Sequence, residues 1–294
     1  MLAVCLAAGA GAAAATESLT LKRIAETGII SIGYRDASIP FSYLDGRQRP
    51  IGYSMDICHH IAEAARRRLK LADLSVKLTP LTSATRLPMV VNHAVDLECG
   101  TTTNTLERQE AVSFLITTFI ATGRFLSKKS SRIDTVEDLR GKTVVSTAGT
   151  TSMRHLAELN ATRGLQMKIV AGKDHAESFR IVETDRAAAF AMDDVLLHSL
   201  AATTKRPSAY HISGEPLSIE PYGIVVRKND PAFKRLADEV ILDLFRSGEI
   251  SRIYQKWFQS PIPPRQINLQ LPMSAQLMKA IVQPTDSGDP ANYK

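Results

Sequence analysis

The sequence predicts an α/β protein built as two lobes, and three observations carry that prediction. Between residues 28 and 98, short β-branched or apolar runs alternate with stretches of helical periodicity. Such alternation builds a parallel sheet covered by helices. The same alternation restarts at Gly141 and continues to Ala202. Between the two series lies an extended run without helical period, residues 116–126, and helices return after residue 227. The chain therefore crosses between lobes near Ala121 and again over 214–219. On this reading the first lobe takes 16–120 and 219–270, the second is inserted as 121–218, and 271–294 form a terminal helix and tail.

Taken in order, residues 19–25 read as a short helix and 28–34 as an alternating strand. Residues 35–43 read as a loop, and 44–47 as a turn of the Asp-Gly kind. Ser54 caps a helix from Met55, with Ile57, Ile61, Ala65 and Leu69 at helical spacing. Arg66, Arg67 and Arg68 close that helix as a solvated end, where cations also suit the dipole. A strand over 75–79, a loop and short helix over 80–92, and a strand over 94–98 complete the first series. The second holds a short helix at 136–139, then strands over 141–147, 167–170 and 187–192. Its helices cover 153–162, 175–183 and 194–202, the first started by Gly149, Thr150, Thr151 and Ser152. A strand over 222–227 precedes amphipathic helices over 231–246, with Pro231 in the first turn, and 249–258. Beyond residues 261–264 one helix is expected near 274–282.

Composition narrows the function. A hydrophobic content of 44% with 22% charged residues suits a globular chain with a proper core. The net charge of +6 comes from scattered Lys and Arg, which is not a nucleic-acid footprint. No phosphate-binding loop, nucleophile triad or metal-ligand spacing is present, so neither cofactor nor metal is expected. Residues 1–15 are uncharged and end in small residues. They read as the apolar and cleavage parts of a secretory signal removed near Ala15, and the missing basic region places the true start upstream. The stretch is too short to span a bilayer, which needs about 20 apolar residues. Cys5 lies inside it, and lipidation there is not expected. Cys58 falls on a helical pattern and Cys99 at a strand end. An exported protein allows them to pair, but two buried thiols are the simpler expectation.

In open α/β sheets ligands sit beyond the carboxyl ends of strands. Residues 99–108 occupy such a place: Thr101 and Thr103 offer hydroxyls, and Arg108 offers a planar cation matched to a carboxylate. The competing reading is a polar loop whose threonines cap the next helix. The other strand ends carry Arg35, then Thr82, Ser83, Thr85 and Arg86. In the second lobe they carry Thr150 and Thr151 at a helix N-terminus, His175, and Asp193. Three arginines, a histidine, hydroxyls and one acid suit an amino acid with two carboxylates and one ammonium. Arg108 then holds one carboxylate, Arg35, Arg86 and His175 the other, and Asp193 the ammonium. Asp193 is preferred to Asp194 because it directly follows the strand. Asp36 is the only other acid placed near the cleft.

Residues 34–43, 98–109, 149–152, 173–179, 192–194 and 256–258, with the prolines of 261–264, resemble the periplasmic glutamate/aspartate-binding proteins of ABC importers, in order over essentially the whole mature chain. The resemblance implies a type II periplasmic-binding-protein fold: two lobes, each a mixed β-sheet flanked by helices, joined by a two-strand hinge that closes on the ligand. It implies the α-carboxylate on Arg108, Thr101 and Thr103, and the side-chain carboxylate on Arg35, Ser83, Arg86 and His175. Thr150 and Thr151 would meet the ligand from the second lobe and Asp193 the amine. Thr101 stands where such proteins commonly carry serine. The implied function is capture of L-glutamate or L-aspartate in the periplasm by a monomer that delivers it to inner-membrane ABC permease subunits. Two alternatives share the fold: a prephenate/arogenate dehydratase-like enzyme, and a receptor for a neutral polar amino acid such as glutamine.

Overall fold

In the computed structural model, which describes residues 18–294, the two strand–helix series form two separate sheets. The secretory signal expected over residues 1–15, with Cys5, lies outside the described residues.

Helix α1 (Leu19–Thr27) is capped by the Ser18 hydroxyl, which accepts from the Leu21 N–H, and ends at Gly28 in the left-handed conformation. Strand β1 (Ile29–Tyr34) follows. Where a loop and turn were expected, β2 (Ala37–Ser38), β3 (Ser42–Leu44) and β4 (Pro50–Ile51) form a small antiparallel sheet. These strands are two or three residues long, too short to show a periodicity. Helix α2 (Tyr53–Arg68) begins before the expected cap. Ser54 sits inside its first turn and donates instead to the Gly100 carbonyl at 2.8 Å. Next come β5 (Ser75–Pro80), α3 (Arg86–Val91), β6 (Leu97–Glu98), α4 (Leu106–Gln109) and β7 (Val112–Phe114). Strand β6 is shorter than expected because the N–H groups of Ala94 and Val95 turn back to the Met89 carbonyl.

The chain then crosses over as β8 (Phe119–Lys128). The second lobe follows with β9 (Thr143–Thr147), α5 (Thr151–Thr162), β10 (Lys168–Gly172), α6 (His175–Glu183), β11 (Ala189–Asp193), α7 (Asp194–Ala202) and β12 (Tyr210–Ile212). It returns through β13 (Ser218–Tyr222) to β14 (Val225–Arg227), α8 (Pro231–Arg246), α9 (Glu249–Phe258) and α10 (Ala275–Val282). The single strand expected over 222–227 is thus divided at Gly223. The half before it joins the second sheet and the half after it the first, since the backbone passes between lobes there.

Both sheets are mixed. The first has the order β5-β1-β6-β14-β7, parallel except where β14 meets β6 and β7. The second has the order β10-β9-β11-β8-β12, with β13 also on β8 and every β8 pairing antiparallel. The hinge is the β8–β13 pair, with Ala121 opposite Glu220 and Phe119 opposite Tyr222. Aromatic rings fasten its base to the first lobe. Phe119 stacks on Phe258 at 5.2 Å and meets the edge of Phe41 at 4.8 Å, and Tyr222 lies 5.4 Å from Phe41. Each such pair adds about 0.5–1.5 kcal/mol beyond burial.

The expectation of two buried thiols is overturned: Cys58 and Cys99 form a disulfide, with Cα atoms 6.3 Å apart. Packing of α2 against the residue that follows β6 creates the proximity, across 41 residues of chain. Among the described residues no helix is long and apolar enough to cross a membrane, and no cluster of metal-ligand side chains occurs.

Candidate ligand-binding cleft

Each strand end delivers the side chain expected of it. Strand β1 runs into Arg35, whose Nη2 donates to Ser83 Oγ at 2.8 Å. Arg86 opens α3 and donates through Nη1 to the Thr101 carbonyl at 3.0 Å. Arg108 lies on α4 and donates to the Thr103 carbonyl at 2.8 Å and, across the cleft, to the Gly149 carbonyl at 3.3 Å. The capping role considered for Thr101 and Thr103 belongs to Thr105, whose hydroxyl accepts from the Arg108 N–H.

From the second lobe, Thr150 caps α5, accepting from the Met153 N–H and donating to the Thr147 carbonyl. Thr151 donates to Glu220 Oε2 at 2.7 Å and faces Thr103 Oγ1 across the cleft at 3.4 Å. His175 opens α6 and Asp193 closes β11. Ser83, Arg86, Thr101, Thr103, Thr150, Thr151, His175 and Asp193, joined by Met192, line one narrow pocket. Arg35 touches it through Ser83, and Arg108 lines the adjoining outer pocket beside Thr150 and Thr151. All ten expected residues therefore converge. Asp36 does not: it is exposed.

The electrostatics are unusual for a buried site. Desolvation, followed by the neighbouring Arg86, pushes Arg35 down to about 10, and desolvation and Arg86 push Arg108 down to about 9. Burial likewise lowers Arg86. All three stay cationic at neutral pH. Arg35 Nη1 and Arg86 Nε are buried without a hydrogen-bond partner, although Arg35 and Arg86 are each only 3% exposed. Orphaned buried donors cost about 1–3 kcal/mol each, more when charged, so the pair is poised for an anion.

His175 is held well below its usual range by burial and then by Arg35 and Arg86, so the ring is neutral. Its Nδ1 lies 2.9 Å from Thr147 Oγ1, and Nε2 has no partner. Asp193 is raised to about 8 by burial and then by the charge of Glu220, and it accepts from the Tyr222 hydroxyl and from Ser152 Oγ. It occupies the N-cap position of α7, yet its side chain makes no capping bond. Asp194 is tied up instead by the Thr122 and Val195 N–H groups.

Sequence reasoning missed three side chains. Glu98 is fully buried beside the arginines and accepts from Thr102 Oγ1 at 2.6 Å. Glu220 is fully buried on the hinge strand, and Tyr222 reaches from the same strand to Asp193. A signal existed for the last two: an acid and a tyrosine interrupt the otherwise apolar run around residues 219–226.

Two α/β lobes on a two-strand hinge, with three arginines and buried carboxylates converging between them, define a receptor that closes on a small charged molecule. The chain belongs to the bacterial extracellular solute-binding proteins, family 3, whose signature matches residues 30–260. It is 50% identical over 268 residues to the L-glutamate/L-aspartate-binding protein of Pseudomonas aeruginosa, covering 91% of this chain and 89% of the relative. It is 43% identical over 289 residues to the glutamate/aspartate import solute-binding protein of Escherichia coli, covering 97% and 96%. Among solved structures, a mutant of ArgBP from T. maritima superposes with a TM-score of 0.72 at 27% identity, covering 81% of this chain and 99% of that one.

Proposed function

We propose that this protein is a non-enzymatic receptor that captures L-glutamate or L-aspartate in the cleft and delivers it to the permease of an ABC importer. The observation that carries the reading is the pair of buried, unpartnered cationic nitrogens on Arg35 and Arg86, beside a pocket lined by Asp193 and adjoined by Arg108. In this reading Arg108, Thr101 and Thr103 hold the α-carboxylate. Arg35, Ser83, Arg86 and His175 hold the side-chain carboxylate, and Asp193 takes the ammonium. Thr150 and Thr151 close the cavity from the second lobe. A glutamine amide offers one acceptor oxygen where a carboxylate offers two, carries no charge, and turns its NH2 toward arginine donors, so glutamine binds far more weakly in this reading. The names of the two relatives support the ligand class. The same family membership supports import from the periplasm with inner-membrane permease subunits, and in this reading the receptor works as a monomer.

A second reading, a dehydratase-like enzyme on this fold, is favoured by one feature. Asp193 is protonated near neutrality, as a general acid would be. Calorimetric titration of the ligand-free protein separates the two. Tight one-to-one binding of L-glutamate and L-aspartate, with L-glutamine far weaker, supports the receptor. Equal binding of glutamine removes the arginine assignment, and consumption of added prephenate makes the protein an enzyme.

A further inference from the structure

The family signature ends at residue 260, yet the chain continues past it and returns to the hinge. The Thr285 carbonyl accepts from the Thr117 N–H at 2.9 Å. Tyr293, 2% exposed, packs with Ala280 on Ile120 and Ile219, one residue from each crossing strand. Its hydroxyl donates to the Ser287 carbonyl and accepts from Thr117 Oγ1 at 2.7 Å. The Asp286 carbonyl accepts from Asn104 Nδ2 at 2.8 Å and from Gln109 Nε2 at 2.9 Å, residues on either side of Arg108. Gly288 presses on the start of α4, where an added Cβ would stand 2.7 Å from the Leu106 nitrogen. Lys234 pairs with the Asp286 carboxylate at 2.8 Å.

These contacts matter because α4 is only four residues long. A helix of one turn has no stability of its own, and its placement must come from outside. Its anchors include the Thr105 cap, the Asn104 N–H bonded to the Pro221 carbonyl at 2.7 Å, the exposed Arg154–Glu107 pair, the Lys228 bond to the Gln109 carbonyl, and the tail. We propose that residues 283–294 are a positioning strap that fixes the 104–109 segment, and with it the Arg108 guanidinium, to the hinge strands. The strap's effect on ligand rests on the reading that Arg108 holds the α-carboxylate. Its effect on the segment does not.

The test compares the intact chain, a chain ended at Gln283, and Gly288→Ala, each with Arg108 and with Arg108→Ala. Removing the tail is expected to weaken L-glutamate binding about tenfold when Arg108 is present, and by less than about twofold in the Arg108→Ala background. Equal losses in both backgrounds mean a general structural role and overturn the proposal. Hydrogen exchange in the absence of ligand provides a readout independent of what binds. The Arg108 and Gln109 amides, both bonded to Thr105, should exchange at least about tenfold faster in the shortened and Gly288→Ala chains. Amides of the β9–β10 ladder should not change. Unaltered exchange at 108 and 109 sinks the strap. Failure of the intact chain to bind glutamate sinks the ligand reading alone.

Discussion

Thr147 Oγ1 lies 2.9 Å from His175 Nδ1 and 2.9 Å from Ser178 Oγ, which donates its own proton to the Asp174 carbonyl. The single Thr147 proton therefore goes to Ser178, and Thr147 accepts from the His175 Nδ1–H. Nε2 is left as a lone pair among arginines. The free protein, labelled at histidine nitrogen, should show His175 as the neutral Nδ1–H tautomer at neutral pH. Saturation with L-glutamate, which brings a carboxylate that needs a donor, should turn the ring into an imidazolium. An Nε2–H tautomer in the free protein would contradict this hydrogen-bond chain.

Arg86 illustrates a site built for ligand at the expense of stability. Arg86→Met removes a buried cation with an unpartnered nitrogen while keeping a long side chain. Glutamate affinity is expected to fall by about 2–5 kcal/mol, while the ligand-free protein becomes more stable by about 1 kcal/mol or more. Calorimetry and chemical denaturation measure the two. Unchanged glutamate affinity would take Arg86 out of the site.

For Asp193 the direction of the pH effect follows from its raised value. The ordinary carboxyl value is 3.8 and the folded value is about 8, so the native state keeps a proton that the unfolded chain releases. The stability it contributes is full below the unfolded value and is lost as pH rises through the folded one. Between about pH 5 and about pH 8.5 the ligand-free protein should lose stability more steeply than Asp193→Asn. An ammonium on Asp193 requires the ionised form, so Asp193→Asn should weaken glutamate far more than glutarate. Parallel slopes would deny Asp193 its raised value, and equal losses for the two ligands would deny it the ammonium.

The Cys58–Cys99 disulfide closes 41 residues and ends one residue before the Gly100–Thr101 turn. Replacing both cysteines by alanine should cost about 2–4 kcal/mol in chemical denaturation. It should also weaken ligand binding, because the threonine loop loses its covalent tie to α2 and keeps only the Ser54 bond to the Gly100 carbonyl. Stability insensitive to reductant in the unaltered protein would show that the bond does not form in solution.

How much of this was legible beforehand can be argued residue by residue. Helices α6, α8 and α9 were readable to their ends because a 3.6-residue period is a local property. Arg35, Arg86, Arg108, His175 and Asp193 were readable as a set because strand ends in α/β sheets share one side. Glu220 and Tyr222 were not assigned, since which way they face depends on β13 lying antiparallel to β8, a pairing between residues about 100 positions apart. Local periodicity pointed to the two-lobed α/β plan, and the residue types at the strand ends to a cationic cleft. Tertiary structure decided what no local pattern encodes. It bonded Cys58 to Cys99, buried Asp193 and set Glu220 beside it so that the Asp193 carboxyl keeps its proton, and laid the tail from Thr285 to Tyr293 across the hinge. Each of these depends on distances that exist only once distant segments have packed together.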